Sequence, residues 1–256
     1  MSGETSGRIA GRREMRYDGT MSRMPFFALL PVLLLSLSSC GTRIIGTVDS
    51  GGGAELRVYA AIEPRMAALI RGFAAAAGIA PGTALLDGPA IAESLAVAPG
   101  IDSASFANTS PVSIDGEISV SRIAGLLASG GTDFVAFTQG AAGGGRFSVG
   151  LDRESGRAIL ALISDDIAGY LGALMAPIAT GETMTRAGYV ALVGAVYGAG
   201  IAEEISAVTI RIWLDFPGPV QRVAGGTFSG RRAEFAIPLL DVLVLEKPLR
   251  YEVVWR

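Results

Sequence analysis

The chain has 256 residues, half of them apolar, with a formal charge of −3, one cysteine and no histidine. The missing histidine excludes Ser–His and Cys–His nucleophile pairs and removes the commonest metal ligand. The mild acidity offers no basic field for nucleic acid, and the lone cysteine excludes both an intrachain disulfide and a thiolate metal cluster. No metal and no cofactor is expected, and the chain reads as a non-enzyme.

Residues 1–20 are polar and charged, unusual ahead of the apolar run that follows, and Met21 or Met24 would make a more conventional start. Arg12-Arg13 lacks the apolar residues that follow a twin-arginine export pair. From Pro25 to Leu35 the sequence is uncharged and apolar, with Arg23 just before it. This run is shorter than the ~20 residues that span a bilayer and suits the apolar region of a secretory signal. Leu37-Ser38-Ser39-Cys40-Gly41 follows. This segment resembles the lipobox of bacterial lipoproteins: Leu at −3, small residues at −2 and −1, and Cys at +1. The resemblance implies a signal peptide at 21–39, cut before Cys40, and lipidation of Cys40 on its sulfur and then on its new amine. Each buried acyl CH₂ adds about 0.8 kcal/mol of membrane affinity, and two or more chains anchor stably. A membrane-anchoring helix, or an ordinary signal with an incidental cysteine, is the alternative. Gly41 replaces the aspartate that retains lipoproteins at the inner membrane in enteric bacteria, which favours the outer membrane, on its periplasmic face or at the cell surface.

Residues 42–54 contain glycine and serine and read as a flexible tether after the acylated Cys40. A single domain is expected over 55–256. Residues 55–62 alternate Leu56, Val58 and Ala60 with Arg57 and Tyr59, the period of a strand. Pro64 opens a helix whose Met66, Leu69, Ile70, Phe73 and Ala77 recur at helical spacing. A second helix is expected at 89–98, and strands at 103–107 and 112–120 with Asp115-Gly116 as a turn. Residues 123–127 fit either a strand edge or one helical turn. Strands at 134–138 and 146–151 flank a glycine-rich loop at 140–145. No Lys-Ser/Thr follows that loop, so it reads as a hairpin connection rather than a phosphate cradle.

A helix at 156–163 leads to Ser164-Asp165-Asp166, an N-cap with acidic residues in the first turn. Ile167, Tyr170, Leu171, Leu174, Met175 and Ile178 then share one face up to Pro177 and Gly181. Thr183 or Thr185 caps a further helix carrying Tyr189, Leu192, Val193 and Val196, and a short turn is expected at 201–205. From Val208 the period returns to two until Pro217-Gly218-Pro219. A strand at 220–223 is expected to pair with 233–237 across Gly225-Gly226 and Ser229-Gly230. A short helix at 238–245 and a closing strand at 249–255 complete the chain. The stretch 209–237, TIRIWLDFPGPVQRVAGGTFSGRRAEFAI, is similar to a β-meander of LppM-type bacterial lipoprotein domains, which implies an antiparallel sheet. The expected class is α+β: an antiparallel β-sheet with several helices packed on one face.

Candidate chemistry is sparse. Asp165 and Asp166, and likewise Glu203 and Glu204, are adjacent on helices and so point apart. Arg231 and Arg232 could meet an anionic lipid headgroup, but alternation sends one to each side of a hairpin arm. Nothing places a proton-transfer partner beside Asp241 or Glu246. The apolar faces around Met66, Leu69, Ile70 and Phe73, and around Leu171, Leu174 and Met175, are expected to pack against the sheet. Their sharper reading is the lining of a sheltered apolar ligand cavity. The expected function is therefore an envelope lipoprotein, held to the membrane through acyl chains on Cys40 and binding a lipid or other apolar ligand. An assembly role through an envelope protein partner, or a His-free hydrolase, stands as the alternative.

Overall fold

The computed structural model describes residues 41–256 apart from 77, 79, 81, 98–99, 124–134, 141–142 and 161–164. The signal peptide, Cys40, Ala77 and the Ser164 cap lie outside the described residues.

The α+β class holds, with two sheets rather than one. The first strand, β1 (Arg43–Val48), lies where a flexible tether was expected. Its Ile44, Gly46 and Val48 turn inward while Arg43, Ile45 and Thr47 turn out, an alternation that a tether has no reason to carry. The turn chemistry is confined to residues 49–53. There Asp49 accepts the amides of Gly51 at 2.6 Å and Gly53 at 2.9 Å, and Gly52 supplies a φ of +83°.

The turn leads to β2 (Ala54–Ala61), α1 (Pro64–Ala76), α2 (Gly88–Ala96), β3 (Ile101–Ser110) and β4 (Ser113–Val120). Asp87 caps α2 by accepting the Ala90 amide at 3.1 Å. Asp115-Gly116, expected as a turn, lies inside β4, and the β3–β4 connection falls at Pro111-Val112. Next come β5 (Val135–Gln139) and β6 (Gly145–Leu151), the hairpin expected around the glycine loop.

The helical middle comprises α3 (Arg153–Leu160), α4 (Asp165–Ala173), α5 (Pro177–Thr180), α6 (Arg186–Tyr197) and α7 (Ala199–Ala207). The continuous helix expected through residue 178 breaks instead. Met175 takes a φ of +52°, and Pro177, which lacks an amide hydrogen, starts the separate α5. Residues 199–207 form a full helix where a short turn was expected. The chain closes with β7 (Thr209–Asp215), β8 (Val220–Ala224), β9 (Thr227–Ser229), β10 (Arg232–Pro238), α8 (Leu239–Val244) and β11 (Leu249–Trp255).

Seven strands form a large sheet in the order β3-β4-β2-β1-β7-β10-β9, and four form a small one in the order β5-β6-β11-β8. β1 occupies the middle of the large sheet, antiparallel to β2 and parallel to β7. The expected pairing of 220–223 with 233–237 does not form: β8 joins β11 in the small sheet, and β10 pairs with β7 and β9.

One buried cluster unites both sheets and the helices. Phe216 and Trp255 lie 4.8 Å apart, and Phe235 of β10 meets Tyr251 of β11 edge-on at 5.7 Å. Aromatic pairs of this kind add about 0.5–1.5 kcal/mol beyond their buried area. The inner face of the large sheet is thus committed to the core, and among the described residues nothing packs over the centre of its outer face, where Arg43, Ile45, Thr47 and Arg57 are exposed.

Candidate functional site

Each residue of the expected apolar lining that is buried belongs to the packed core. Met66 and Ile70 of α1 join Leu171 of α4 and Leu174 just beyond it in the same buried cluster. Leu69, Phe73 and Met175 are half-buried. Phe73 packs edge-on against Tyr197 of α6 at 5.9 Å, and the Tyr197 hydroxyl donates to the Ala173 carbonyl. The Tyr189 hydroxyl donates to the Leu174 carbonyl at 3.1 Å in a buried bond. The buried members of the two faces thus share one core, and α6 fastens the end of α4 with two phenols: Tyr189, expected as part of an apolar face, and Tyr197, which the sequence did not single out.

The carboxylates have structural partners. Glu204 of α7 accepts the Met66 amide at 2.9 Å and the Arg65 amide at 3.3 Å. It thereby supplies the N-terminus of α1 with the negative charge that the helix itself lacks there. Glu203 faces the same Arg65, at 3.8 Å. Glu246 accepts the Arg186 amide at 2.9 Å, and Asp241 pairs with the Arg186 guanidinium at 3.0 Å, so both hold the first turn of α6. Arg231 donates to the Phe216 carbonyl at 2.7 Å, and Arg232 forms a fork on Asp215 at 2.9 and 2.6 Å. The side chains of Asp165 and Asp166 lie outside the described residues. Among the described residues no group of three or more His, Cys, Asp or Glu could hold a metal ion.

The outer face of the large sheet is the most distinctive surface. Strand register arranges its central side chains in three rows. The row nearest the start of β1 runs Asp115, Tyr59, Arg43, Arg211, Ala236. The next runs Glu117, Arg57, Ile45, Trp213, Glu234, and the third Ser119, Glu55, Thr47, Asp215, Arg232. Ile45 sits at the centre with 47% of its surface exposed, between Arg57 and half-buried Trp213, with half-buried Tyr59 diagonal to it.

Charges on this face are paired unevenly. Arg57 forks onto Asp115 at 3.2 and 3.0 Å and holds its carboxyl below the usual range. Arg232 does the same to Asp215. Arg43 and Arg211 are direct cross-strand neighbours, and among the described residues neither guanidinium has a carboxylate partner. Arg43 instead lies over the Tyr59 ring, 5.0 Å from its centroid. Like charges on neighbouring strands repel each other, and Arg43 reaches away from Arg211, toward β2. None of Arg43, Ile45, Arg211 or Trp213 was a candidate from sequence. Their juxtaposition depends on a parallel pairing between distant strands.

No family model and no curated protein matches the chain. A comparison with solved structures finds the NMR structure of the Mycobacterium tuberculosis LppM folded domain. The match has 9% identity and a TM-score of 0.38, and covers 86% of this chain and 91% of that one. Among the described residues no helix is long and apolar enough to cross a membrane.

Proposed function

We propose that the protein is a bacterial envelope lipoprotein, anchored by acyl chains on Cys40, that works by binding at the membrane surface through the outer face of its large sheet. The observation that carries this reading is the row structure around Ile45: an exposed aliphatic next to Trp213 and diagonal to Tyr59, beside two arginines that among the described residues have no carboxylate partner. Amphipathic aromatics and arginine are the side chains most enriched where surfaces bind. A photo-crosslinking residue at position 45 of the full chain, activated in intact envelopes, tests it. Adducts to an envelope component should form at position 45 and not at the exposed Val196 of α6. Equal labelling at both positions would refute a specific face.

A second reading, an apolar ligand held between α1 and α4, is favoured by the half-buried Leu69, Phe73 and Met175 beside the break at Met175. Native mass spectrometry of the purified protein tests it, because a co-purifying lipid-sized mass is expected only if that space is occupied. Both readings are of binding, and the carboxylates at Glu204, Asp241 and Glu246 serve helix starts and ion pairs.

A further inference from the structure

Arg43 follows Cys40 by only three positions, so their Cα atoms are at most about 11 Å apart. The intervening chain has little slack. Thr42 is fully buried, and its carbonyl accepts the Arg211 amide at 2.9 Å. Gly41 is therefore the single residue between the cysteine and the buried Thr42, which leads directly into β1 at the centre of the sheet.

Charge along the outer face is graded from that end. The row nearest Cys40 holds two arginines to one aspartate, and that aspartate is taken by Arg57. Each of the other two rows holds one arginine to two carboxylates. The end of α1 on the opposite side of the sheet adds no free cation, because Glu203 and Glu204 hold Arg65. Of the three rows only the one where the anchor attaches holds more arginines than carboxylates, on a face that with four arginines and five carboxylates is mildly acidic like the chain as a whole.

We propose that the Arg43–Arg211 pair is a docking site for anionic phospholipid headgroups, which turns this end of the outer face of the large sheet toward the membrane that holds Cys40. This proposal rests on the reading that Cys40 is acylated. The headgroup phosphates supply the negative charge that the sheet withholds from the two arginines, through the forked donors of guanidinium. Tyr59 orients Arg43 for this contact, and Ile45 and Trp213 meet the headgroup layer one row further along. A long tether would allow the domain to turn freely above the bilayer. A connection of two residues, one of them buried, converts anchoring into orientation by raising the local concentration of headgroups at this end.

The protein has two tryptophans, and Trp255 is buried while Trp213 lies on the docking face. Full chain extracted with its acyl groups from bacterial membranes is reconstituted into vesicles carrying a nitroxide quencher on a fraction of headgroups. The vesicles are either phosphatidylcholine alone or contain about one third phosphatidylglycerol, an anionic surface worth on the order of fivefold in binding per arginine. Trp213 emission should be quenched more strongly in the anionic vesicles. The double substitution R43Q/R211Q should weaken docking on the order of 25-fold and remove the difference, whereas Arg71→Gln on the exposed side of α1 should leave it. Equal quenching in both vesicles, or quenching unaffected by the double substitution, overturns the proposal. Crosslinks from position 45 to a protein in place of lipid also overturn it, by giving the face a protein partner. Partition of the wild-type protein into the aqueous phase of a cloud-point detergent separation would instead overturn the reading that Cys40 is acylated.

Discussion

Gly46 tests whether β1 is a central strand. It sits opposite Leu56 on β2 and Leu214 on β7, and a Cβ placed on it would run into the Leu56 side chain and stand 2.7 Å from the Glu55 carbonyl oxygen. The Leu56 methyl can swing aside, but the carbonyl belongs to the neighbouring strand and cannot move without disturbing the ladder. Overpacking of this kind costs about 1–3 kcal/mol. Gly46 does not have a positive φ, so alanine adds no left-handed strain and recovers about 0.5–1 kcal/mol by restricting the unfolded chain. With both contacts under 3.0 Å the upper half of that cost applies, so Gly46→Ala should destabilise by about 1–2.5 kcal/mol, which for a domain of this size lowers the melting temperature by roughly 2–10 °C. Urea unfolding followed by tryptophan emission should show a lower midpoint with an unchanged slope. A change below about 0.5 kcal/mol, the range of ordinary surface sites, would refute the placement of β1, because alanine in a tether is harmless.

Tyr189→Phe removes a buried donor and leaves the Leu174 carbonyl without it, so a loss of about 1–2 kcal/mol is expected in the same urea assay. Arg211→Gln should do the opposite: relieving the like-charge pair with Arg43 stabilises by a few tenths of a kcal/mol in dilute buffer, and the gain should fade at high salt. Burial pushes the phenols of Tyr189 and Tyr251 up, with a smaller contribution from Tyr197 at the first and from Asp241 at the second. A folded-state value raised above the unfolded ~10 means their stabilisation is complete below about pH 10 and lost as pH climbs through the folded values. Unfolding midpoints should thus fall above about pH 10 and fall less in Tyr189→Phe; a flat alkaline limb would contradict the burial argument.

Local signals carried much of the architecture. The alternations at 55–62, 209–215 and 249–255 correspond to β2, β7 and β11. Thr185, one of the two expected caps, accepts the Gly188 amide at the start of α6. Most of the misses share a physical cause: they depended on a partner remote in sequence. RIIGTV alternates plainly, but Gly46 blurs the period, and the glycines of the adjoining turn gave the whole stretch the composition of a linker. The turn chemistry around Gly225 and Gly230 suits a hairpin, yet β8 finds β11 because Phe216 stacks on Trp255 and turns the chain into the second sheet. The helix around Leu171 has apolar spacing that runs on through Leu174 and Met175, whereas backbone geometry breaks at Met175. Glu204 reads from sequence as a solvated helix face, and becomes a helix cap only when α7 is laid beside α1. The Arg43–Arg211 row was invisible for the same reason, since no local pattern announces a parallel pairing between the first strand and the seventh.

The most direct test of lipid anchoring is the intact mass of the protein purified from the membranes of a bacterium expressing the full chain. Anchoring through Cys40 predicts the mass of residues 40–256 increased by two or three acyl chains and the glycerol that joins the first two to sulfur. A chain that retains residues upstream of Cys40 with its thiol free would contradict the anchor, and with it the orientation of the sheet against the membrane.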